Sequence, residues 1–363
     1  MDTPWGQLGS LDPLDRDLAL RILSDDKHTL LEGLVVENTF DQILQPLTVG
    51  ADPVLTPLDV ETAVADADGK RLAFVWARSV AKTKGLRRYL QCLEKVAETY
   101  LVTYEAGTFV AHNIRQGARS GPRTPLREML SDITGRKPRP PSVDASVRDP
   151  NRQKAAFWGF LNSTYPGRDL WDRIVLARIF INYGIQPFFR RVWNLDRICL
   201  FHDKERNSEA LWMLEVKHKY PMKGVPLQFG INNGEIGIME LTAKAGIRTM
   251  HGIIVKPVWD KSIGAMYLHS DMAKRERAAV IGAVLDLSDL EKISLRKSRT
   301  ASSHTSLSGS EGVKFKSLRA DEFKLLGTYA EGTEKLSQQL SSLLSGSPIA
   351  SVTDHALSEL RFK

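Results

Sequence analysis

The chain has 363 residues, 42% hydrophobic and 26% charged, a composition that is typical of a globular protein and argues against fibrous, disordered and membrane-embedded classes. Two cysteines exclude a disulfide framework, and the acidic N-terminus lacks the apolar segment of a secretory signal, so we expect a cytoplasmic protein, or a nuclear one in a eukaryote. The net charge of +7 favours polyanionic partners. The sequence has no run of 18 apolar residues, so we expect no helix that crosses a membrane.

The first 112 residues are predicted to form a small α+β domain. The leucines of residues 13–35 have helical spacing, interrupted near Asp25-Asp26. Apolar residues on both sides of Asp68-Gly69 predict a β-hairpin, because this pair readily adopts the positive φ of a tight turn. The elements predicted after residue 35 are that hairpin over 60–80, a helix over 84–100 and a second hairpin over 101–112.

Residues 113–155 are rich in Pro, Gly, Arg and Ser and are predicted to link two domains, with a short helix over 123–135. Between residues 111 and 154, ten Lys or Arg stand against four Asp or Glu, which places six of the seven excess positive charges in this stretch. Such a segment is either a solvated linker or a basic strap that contacts phosphates. On the second interpretation Arg136, Lys137 and Arg139 contact nucleic acid.

Residues 156–295 are predicted to form an α/β domain with a mixed sheet, because helical and strand-like patterns alternate along them. The predicted elements are a helix over 167–184, strands over 185–193, 195–203 and 210–219, a helix over 229–247, a strand over 250–259 and a helix over 271–294. The Ser-rich residues 296–312 have no apolar period and are predicted to be disordered. Residues 313–363 are predicted to form a C-terminal helical segment.

One strand of this domain ends in an unusual way, because its apolar run leads directly into Glu215, Val216 and Lys217. The polar segment KERNSE separates it from the preceding strand and suits a hairpin loop. A turn centred on this loop pairs Asp196 with Glu215, and directly opposed residues of an antiparallel pair point to the same face. Lys217 shares that face, because side chains alternate along a strand.

Two carboxylates at this separation repel each other unless a cation lies between them. Asp196 and Glu215 are therefore candidate ligands of Mg²⁺ or Mn²⁺, with the carbonyl oxygen of Val216 as a third oxygen ligand. Lys217 is placed to position a water molecule or to stabilise charge on a phosphoryl group. This set of residues predicts metal-assisted hydrolysis of a phosphodiester.

Asp196, a hairpin and then Glu215-Val216-Lys217 resemble the PD-(D/E)XK nuclease superfamily, which includes restriction endonucleases and junction resolvases. The resemblance covers residues 167–260 approximately. It implies a restriction-endonuclease-like α/β core, with a central mixed β-sheet flanked by helices, next to the smaller N-terminal α+β domain. Leu195 stands where the family has a proline before the first acid, so cleavage pattern and substrate do not carry over from the resemblance.

The resemblance also implies further site residues. A helix before the hairpin often carries another acid near its start, and Asp172 is the candidate here, with Asp169 as the alternative. The helix after the third strand frequently has a Gln or Lys near the site, and Gln228 is of that type. Asn232 to Glu235 either cap this helix or bring Glu235 to the outer part of the metal site.

Each candidate also has a structural alternative. The alternative for Glu215 and Lys217 is an exposed strand end, with a salt bridge to Arg197 or Asp196. Asp203 is an alternative first acid, although its pairing near the loop would separate it from Glu215. The structural alternative for Asp172 is an acid at a helix N-terminus, and the alternative for Gln228 is a purely structural residue. Lys219 is a candidate phosphate contact, whereas His218, on the opposite face, is expected to be a surface residue.

The leading hypothesis is a Mg²⁺- or Mn²⁺-dependent nuclease that acts on DNA, an endonuclease of restriction, defence or recombination type. The alternative is a non-catalytic subunit that binds nucleic acid or interacts with the other members of a larger complex. Cutting both strands of a duplex needs two sites, which is the reason to expect a homodimer or a larger assembly.

Overall fold

The computed structural model describes residues 1–50, 53–67, 69–139, 143–304 and 312–362. Its α-helices are α1 (Arg16–Ser24), α2 (His28–Thr48), α3 (Leu86–Leu93), α4 (Leu126–Thr134), α5 (Pro150–Ala156), α6 (Asn162–Thr164), α7 (Leu176–Ile179), α8 (Asn233–Lys244), α9 (Tyr267–Ser270), α10 (Met272–Glu276), α11 (Leu287–Leu295), α12 (Thr333–Ser345) and α13 (Asp354–Leu360). Turns of π-helix extend α5 and flank α7, so that the latter helix runs from Leu170 to Ile185.

The strands are β1 (Asp2–Thr3), β2 (Gly6–Gln7), β3 (Leu55–Pro57), β4 (Val60–Ala67), β5 (Lys70–Ala77), β6 (Glu98–Glu105), β7 (Thr108–Arg115), β8 (Ala118–Pro125), β9 (Val192–Leu195), β10 (Arg197–Asp203), β11 (Ser208–Lys219), β12 (Gln228–Asn232), β13 (Arg248–Val255), β14 (Ala279–Leu285), β15 (Arg299–His304), β16 (Gly312–Arg319) and β17 (Lys324–Thr328). They form two six-stranded sheets and two smaller ones within the described residues.

The core sheet has the strand order β17-β14-β13-β11-β10-β3, in which β11 and β13 run parallel and all other neighbours are antiparallel. Its strands are apolar on both faces, because both faces are covered. Along β11, Leu211 and Met213 enter one hydrophobic cluster, whereas Trp212 and Leu214 enter another that includes residues of α2 and α12. The chain is thus a mixed α/β protein, as predicted.

The second sheet has the order β8-β7-β6-β5-β4-β9 and lies in sequence between two strands of the core sheet. Both predicted hairpins are confirmed, since β4 pairs with β5 and β6 pairs with β7. The predicted turn residue Asp68 lies outside the described residues. Strand β3 and helix α2, expected in an N-terminal domain, instead belong with the core, because β3 pairs with β10 and α2 packs on β11. The boundary at residue 112 also falls inside β7.

The segment 113–155, predicted as a linker, contains regular structure. Strand β8 pairs with β7 as the outer strand of the second sheet, and helices α4 and α5 follow it. An outer strand with mostly exposed side chains needs no alternation of apolar residues, which explains why its Arg-, Pro- and Gly-rich sequence looked like a linker. The short helix predicted over 123–135 is confirmed as α4.

Several other predicted elements differ in the structure. The strand predicted over 185–193 is a turn of 3-10 helix up to Phe188, and β9 begins only at Val192. The C-terminal segment predicted to be helical over 313–363 also contains most of β16 and all of β17. The helix predicted over 271–294 is α10, β14 and α11, because the apolar run of β14 is a strand buried between its neighbours in the core sheet. The helix predicted over 84–100 ends at Leu93, and β6 begins at Glu98. Part of the segment predicted to be disordered forms β15, an outer strand paired with β16, and residues 305–311 lie outside the described residues.

Both cysteines are buried and free, as predicted for a protein without disulfides. Among the described helices, none combines the length and the apolar character needed to cross a bilayer.

Candidate active site

The hairpin of β10 and β11 has the register predicted from the sequence. Arg197 pairs with Leu214, and the pairing continues step by step to Asp203 and Ser208 beside the turn. One step beyond the Arg197 pair, at the open end of the hairpin, the same register sets Asp196 opposite Glu215. Asp203, the alternative first acid, is therefore at the other end of the strand, as expected.

Lys217 connects the acidic side chains at this end of the core sheet. Its Nζ atom contacts Glu215 closely and lies 3.8 Å from an Oδ atom of Asp196 and 3.8 Å from an Oε atom of Glu235. The Nζ atom of Lys219 lies 3.7 Å from the other Oε atom of Glu235. The two lysines and Glu215 alternate along β11, so all three side chains reach the same face of the sheet.

Glu235 enters this cluster from the first turn of α8, where it also caps the helix. Its carboxylate accepts hydrogen bonds from the backbone N–H and the side-chain amide of Asn232, at 3.0 Å each. Both roles foreseen for this residue, helix cap and neighbour of the site, are therefore present together. The cap fixes the carboxylate at the N-terminus of α8, where the helix dipole favours negative charge.

Burial and charge shift the pKa values of the cluster in different directions. Burial raises the pKa of Glu215 to about 8, and the nearby Asp196 adds to this effect. Burial lowers the pKa of Lys217, but the surrounding carboxylates outweigh it and raise that pKa well above its ordinary value. Burial also acts to raise the pKa of Glu235, but Lys219 and Lys217 outweigh it and lower that pKa to about 2. Near neutrality the cluster thus combines a carboxyl that holds its proton with a carboxylate that stays ionised.

A fully buried histidine lies beside the cluster. His251 pairs with Glu215 across the parallel strands β11 and β13, and its side chain is completely buried. Neither ring nitrogen has a hydrogen-bond partner within the described residues. Burial and the positive charge of Lys219 lower the pKa of His251 to about 3, so its ring is neutral.

The donor atoms suit a magnesium ion that keeps much of its water. Among the described residues, no group of three or more His, Cys, Asp or Glu side chains is arranged to hold a metal ion. Mg²⁺, however, is commonly held by one or two carboxylates together with water and substrate phosphate. Asp196 and Glu215 meet that smaller requirement, and the ammonium group of Lys217 already contacts Glu215 and approaches Asp196 with a positive charge. Metal binding to Glu215 would require loss of its proton and movement of the Lys217 ammonium group.

The predicted acid on the preceding helix lies away from the cluster. The carboxylate of Asp172 pairs with Arg168 at 3.1 Å and is 44% exposed, and the alternative Asp169 is exposed as well. The described contacts of Asp172 include its backbone oxygen, which accepts a hydrogen bond from Arg78, but no contact with Asp196, Glu215 or Lys217. The structure thus places this residue in its alternative role, an exposed acid in the first turns of a helix.

The acids that approach Asp196 come instead from α2. The charge of Asp196 contributes to the raised pKa of Glu37, whose main cause is burial, and Arg197 pairs with both Glu37 and Asp41. These residues, with Asp196, line a groove of about 650 Å³ between α2, β10 and the Leu170–Ile185 helix. The spacing of Glu37 and Asp41 on one helical face was visible in the sequence, but the predicted helix ended at residue 35.

The other predicted contacts have mixed positions. Lys219 belongs to the cluster and donates a hydrogen bond to the backbone oxygen of Gly230 at 2.6 Å. His218 points to the opposite face, as expected, where its Nε2 atom lies 2.8 Å from the Tyr267 hydroxyl. Gln228 is the first residue of β12, a strand and not the predicted helix, and its described partners are backbone neighbours in β16 and at Met222. The predicted phosphate contacts Arg136, Lys137 and Arg139 lie on a separate concave surface.

Comparison with known proteins does not place the chain in a family. No protein-family model matches it, and the searches of curated proteins and of solved structures found no significant match. What the fold and the candidate site define is therefore a class: a mixed α/β protein whose central sheet carries a partly buried cluster of carboxyl groups and lysines at one end of a hairpin.

Proposed function

We propose that this protein is a metal-dependent nuclease that hydrolyses phosphodiester bonds of DNA. One observation carries the proposal: the ammonium group of Lys217 contacts Glu215 and lies 3.8 Å from Asp196, which is one step beyond the last pair of the hairpin, Arg197 and Leu214. A salt bridge on an exposed strand end is a poorer account of this geometry, because Glu215 is only 5% exposed and its pKa is raised by burial. Holding a buried acid against a partly buried acid and a partly buried lysine is costly and is typical of functional sites.

The arrangement of the core sheet supports a restriction-endonuclease-like core. Helix α2 and strand β3 come before the hairpin, and helix α8 and strand β13 come after it. Strand β13 pairs in parallel with β11, the strand that carries Glu215 and Lys217. This order of elements agrees with the resemblance to the PD-(D/E)XK superfamily, with α2 as the helix that brings an acid, Glu37, toward Asp196.

In the proposed reaction the side chains of Asp196 and Glu215, with the carbonyl oxygen of Val216, would hold Mg²⁺ or Mn²⁺. The bound ion would polarise the phosphoryl group and lower the pKa of a water molecule. Lys217 holds the proton on its amino group, orients the attacking water and stabilises negative charge on the phosphate. The carboxylate of Glu235 favours the charged forms of Lys217 and Lys219 through contacts of 3.8 Å and 3.7 Å, and for Lys219 it opposes the lowering of the pKa by burial.

The test is cleavage of a panel of substrates, namely linear duplex, plasmid, single strand, branched junction and RNA, with Mg²⁺ or Mn²⁺. Wild type should cut DNA, while Glu215→Ala and Lys217→Ala should lose at least about a hundredfold in rate, the scale of one removed catalytic group. Asp203→Asn is the matched control, because it changes a carboxylate at the turn end of the same hairpin. The proposal is abandoned if wild type cuts none of these substrates, or if Glu215→Ala and Asp203→Asn cut equally well.

A non-catalytic subunit that binds nucleic acid is the second candidate. It is favoured by the close contact of Lys217 with Glu215, which already places a positive charge against this acid without a metal ion. Titration with Mn²⁺, followed by calorimetry, separates the two candidates. A nuclease should show binding that disappears in Asp196→Asn, whereas a scaffold should show no binding that depends on Asp196.

A further inference from the structure

Two adjoining concavities of about 390 and 400 Å³ open on the protein surface near the start of β9. Both are lined by Arg136 and Arg190. Lys137 and Arg139 line the first, and Arg191 lines the second. These five side chains together form the basic patch.

The fold brings the two halves of the basic patch together from distant parts of the sequence. Helix α4 ends at Gly135, whose φ of 59° lets the chain turn out of the helix. The backbone N–H of Arg139 then donates a hydrogen bond of 2.9 Å to the oxygen of Pro187, which holds this segment against the turn that precedes β9. Arg190 and Arg191 follow that turn directly, so the patch rests on ordered backbone on both sides.

The patch has a large excess of positive charge. Asp66 is the acidic residue that lines the two concavities, and its carboxylate pairs with Arg71 at 3.7 Å. Within the part of the chain that the structure describes, the side chains of Arg190 and Arg191 make no ion pair or hydrogen bond with a protein group. Both are exposed to solvent. Unpaired guanidinium groups are suited to phosphate, which they bind through two parallel hydrogen bonds.

The lining offers little to an apolar partner. Phe188 and Phe189, which line the first concavity, are 2% and 8% exposed and are engaged in the protein core. A membrane surface or an amphipathic peptide gains most of its affinity from exposed apolar side chains, whereas a phosphate backbone binds through charge alone. The chemistry of the patch therefore favours a nucleic acid over a lipid surface or an acidic peptide.

The patch and the candidate active site lie at the two ends of one strand. Arg191 precedes β9 and Asp196 follows it, so the two residues are five positions apart along an extended chain. At about 3.3 Å per residue this distance is about 17 Å. Phosphates follow one another by about 3.4 Å of helix axis along one strand of a duplex, so the distance corresponds to about five base pairs.

We propose that the basic patch binds the phosphate backbone of a nucleic acid, about five base pairs from the phosphate that occupies the site of Asp196 and Glu215. The position relative to the cleaved bond rests on the proposed nuclease function. The binding itself does not, because it requires neither metal nor cleavage. The patch thus anchors the substrate at a distance from the reacting phosphate.

The test uses the full chain in the presence of EDTA and measures the binding of a fluorescent DNA duplex by anisotropy over a range of salt concentrations. Arg190→Glu/Arg191→Glu should weaken binding at least about tenfold and reduce the slope of log K against log salt by about 2, the value for two lost phosphate contacts. Arg190→Gln/Arg191→Gln should show the same reduction in slope with a smaller loss of affinity. The matched control is Lys244→Glu/Lys261→Glu, which makes the same charge change at two exposed residues outside the patch.

The control should bind with unchanged slope, and thermal unfolding should show that all variants are folded. Binding by Arg190→Glu/Arg191→Glu that equals the control overturns the proposal. The proposal also fails if the arginine variants keep the wild-type affinity for DNA but lose binding to phosphatidylserine vesicles or to polyglutamate. If the arginine variants lose DNA binding while the wild type cuts no DNA, the proposed binding role of the patch stands and only the nuclease function is refuted.

Discussion

Replacing Glu215 by glutamine removes a group whose pKa rises from 4.5 to about 8 on folding, because its side chain is buried and lies near Asp196. A carboxyl with a raised pKa binds more protons in the folded protein than in the unfolded one, so the wild type loses stability as the pH rises from 4.5 to about 8. The loss is about 1.4 kcal/mol for each pH unit and at most about 5 kcal/mol in total. Glutamine does not titrate, so the free energy of unfolding of Glu215→Gln, relative to wild type, should rise across this interval and stay level above it.

Urea unfolding at a series of pH values measures this difference. Glu235→Gln is the matched control, because the pKa of Glu235 is shifted in the opposite direction, to about 2. The ionised form of Glu235 contributes stability that is present above pH 4.5 and is lost as the pH falls toward 2. Near neutrality Glu235→Gln should therefore be less stable than wild type by about 3 kcal/mol. A difference between Glu215→Gln and wild type that is constant, or that falls between about pH 5 and pH 8, would refute the reasoning.

Three further predictions concern other parts of the molecule. Arg197→Ala leaves Asp41 and a second carboxylate of α2 without their partner, and urea unfolding should show a loss of about 3 kcal/mol, whereas Arg197→Lys should recover part of it. Gly107→Ala should cost about 2 kcal/mol and lower the thermal unfolding temperature by about 2–3 degrees, because Gly107 has a φ of 78° and a Cβ there would lie 2.4 Å from the Cα of Gly9. An unchanged unfolding temperature would contradict this contact. Cleavage in the presence of Mg²⁺ should increase with pH up to about 8, as Glu215 loses the proton that competes with the metal, and should stop when EDTA removes the metal; a rate that is flat across this interval would contradict the assigned ligand.

The hairpin register could be predicted because all the information needed was local. The polar loop limits where the chain turns, and a slip of one residue would have moved the apolar side chains of both strands to the wrong faces. The pair of Asp196 and Glu215, and the position of Lys217 on the same face, follow from that register alone. The buried apolar residues around them, such as Trp212, follow from the same pattern.

The remaining part of the site depends on contacts between distant segments, which local patterns do not contain. Glu37 approaches Asp196 from a helix far earlier in the chain, and β3, which completes the core sheet, has only three residues and no visible period. Strand β14 was predicted as a helix because a short apolar run has the same appearance in a buried strand as in a buried helix. Asp172 was chosen because its helix lies just before the hairpin in sequence, although the acid that approaches Asp196, Glu37, comes from α2.

The second sheet has a consequence for how the protein folds. The part of the chain that forms this sheet leaves the core sheet after β3 and returns to it at β10. At this point the backbone N–H of Leu58 donates a hydrogen bond of 2.8 Å to the backbone oxygen of Ile198. Closing a loop of this length costs about 4 kcal/mol of chain entropy, and pairing of β4 with β9 within the segment already brings the two ends together. The two sheets also share one hydrophobic cluster, in which Phe74 and Trp76 of one sheet join Trp212 of the other. We therefore expect the two sheets to fold cooperatively, and β9, which closes the second sheet, leads directly into Asp196.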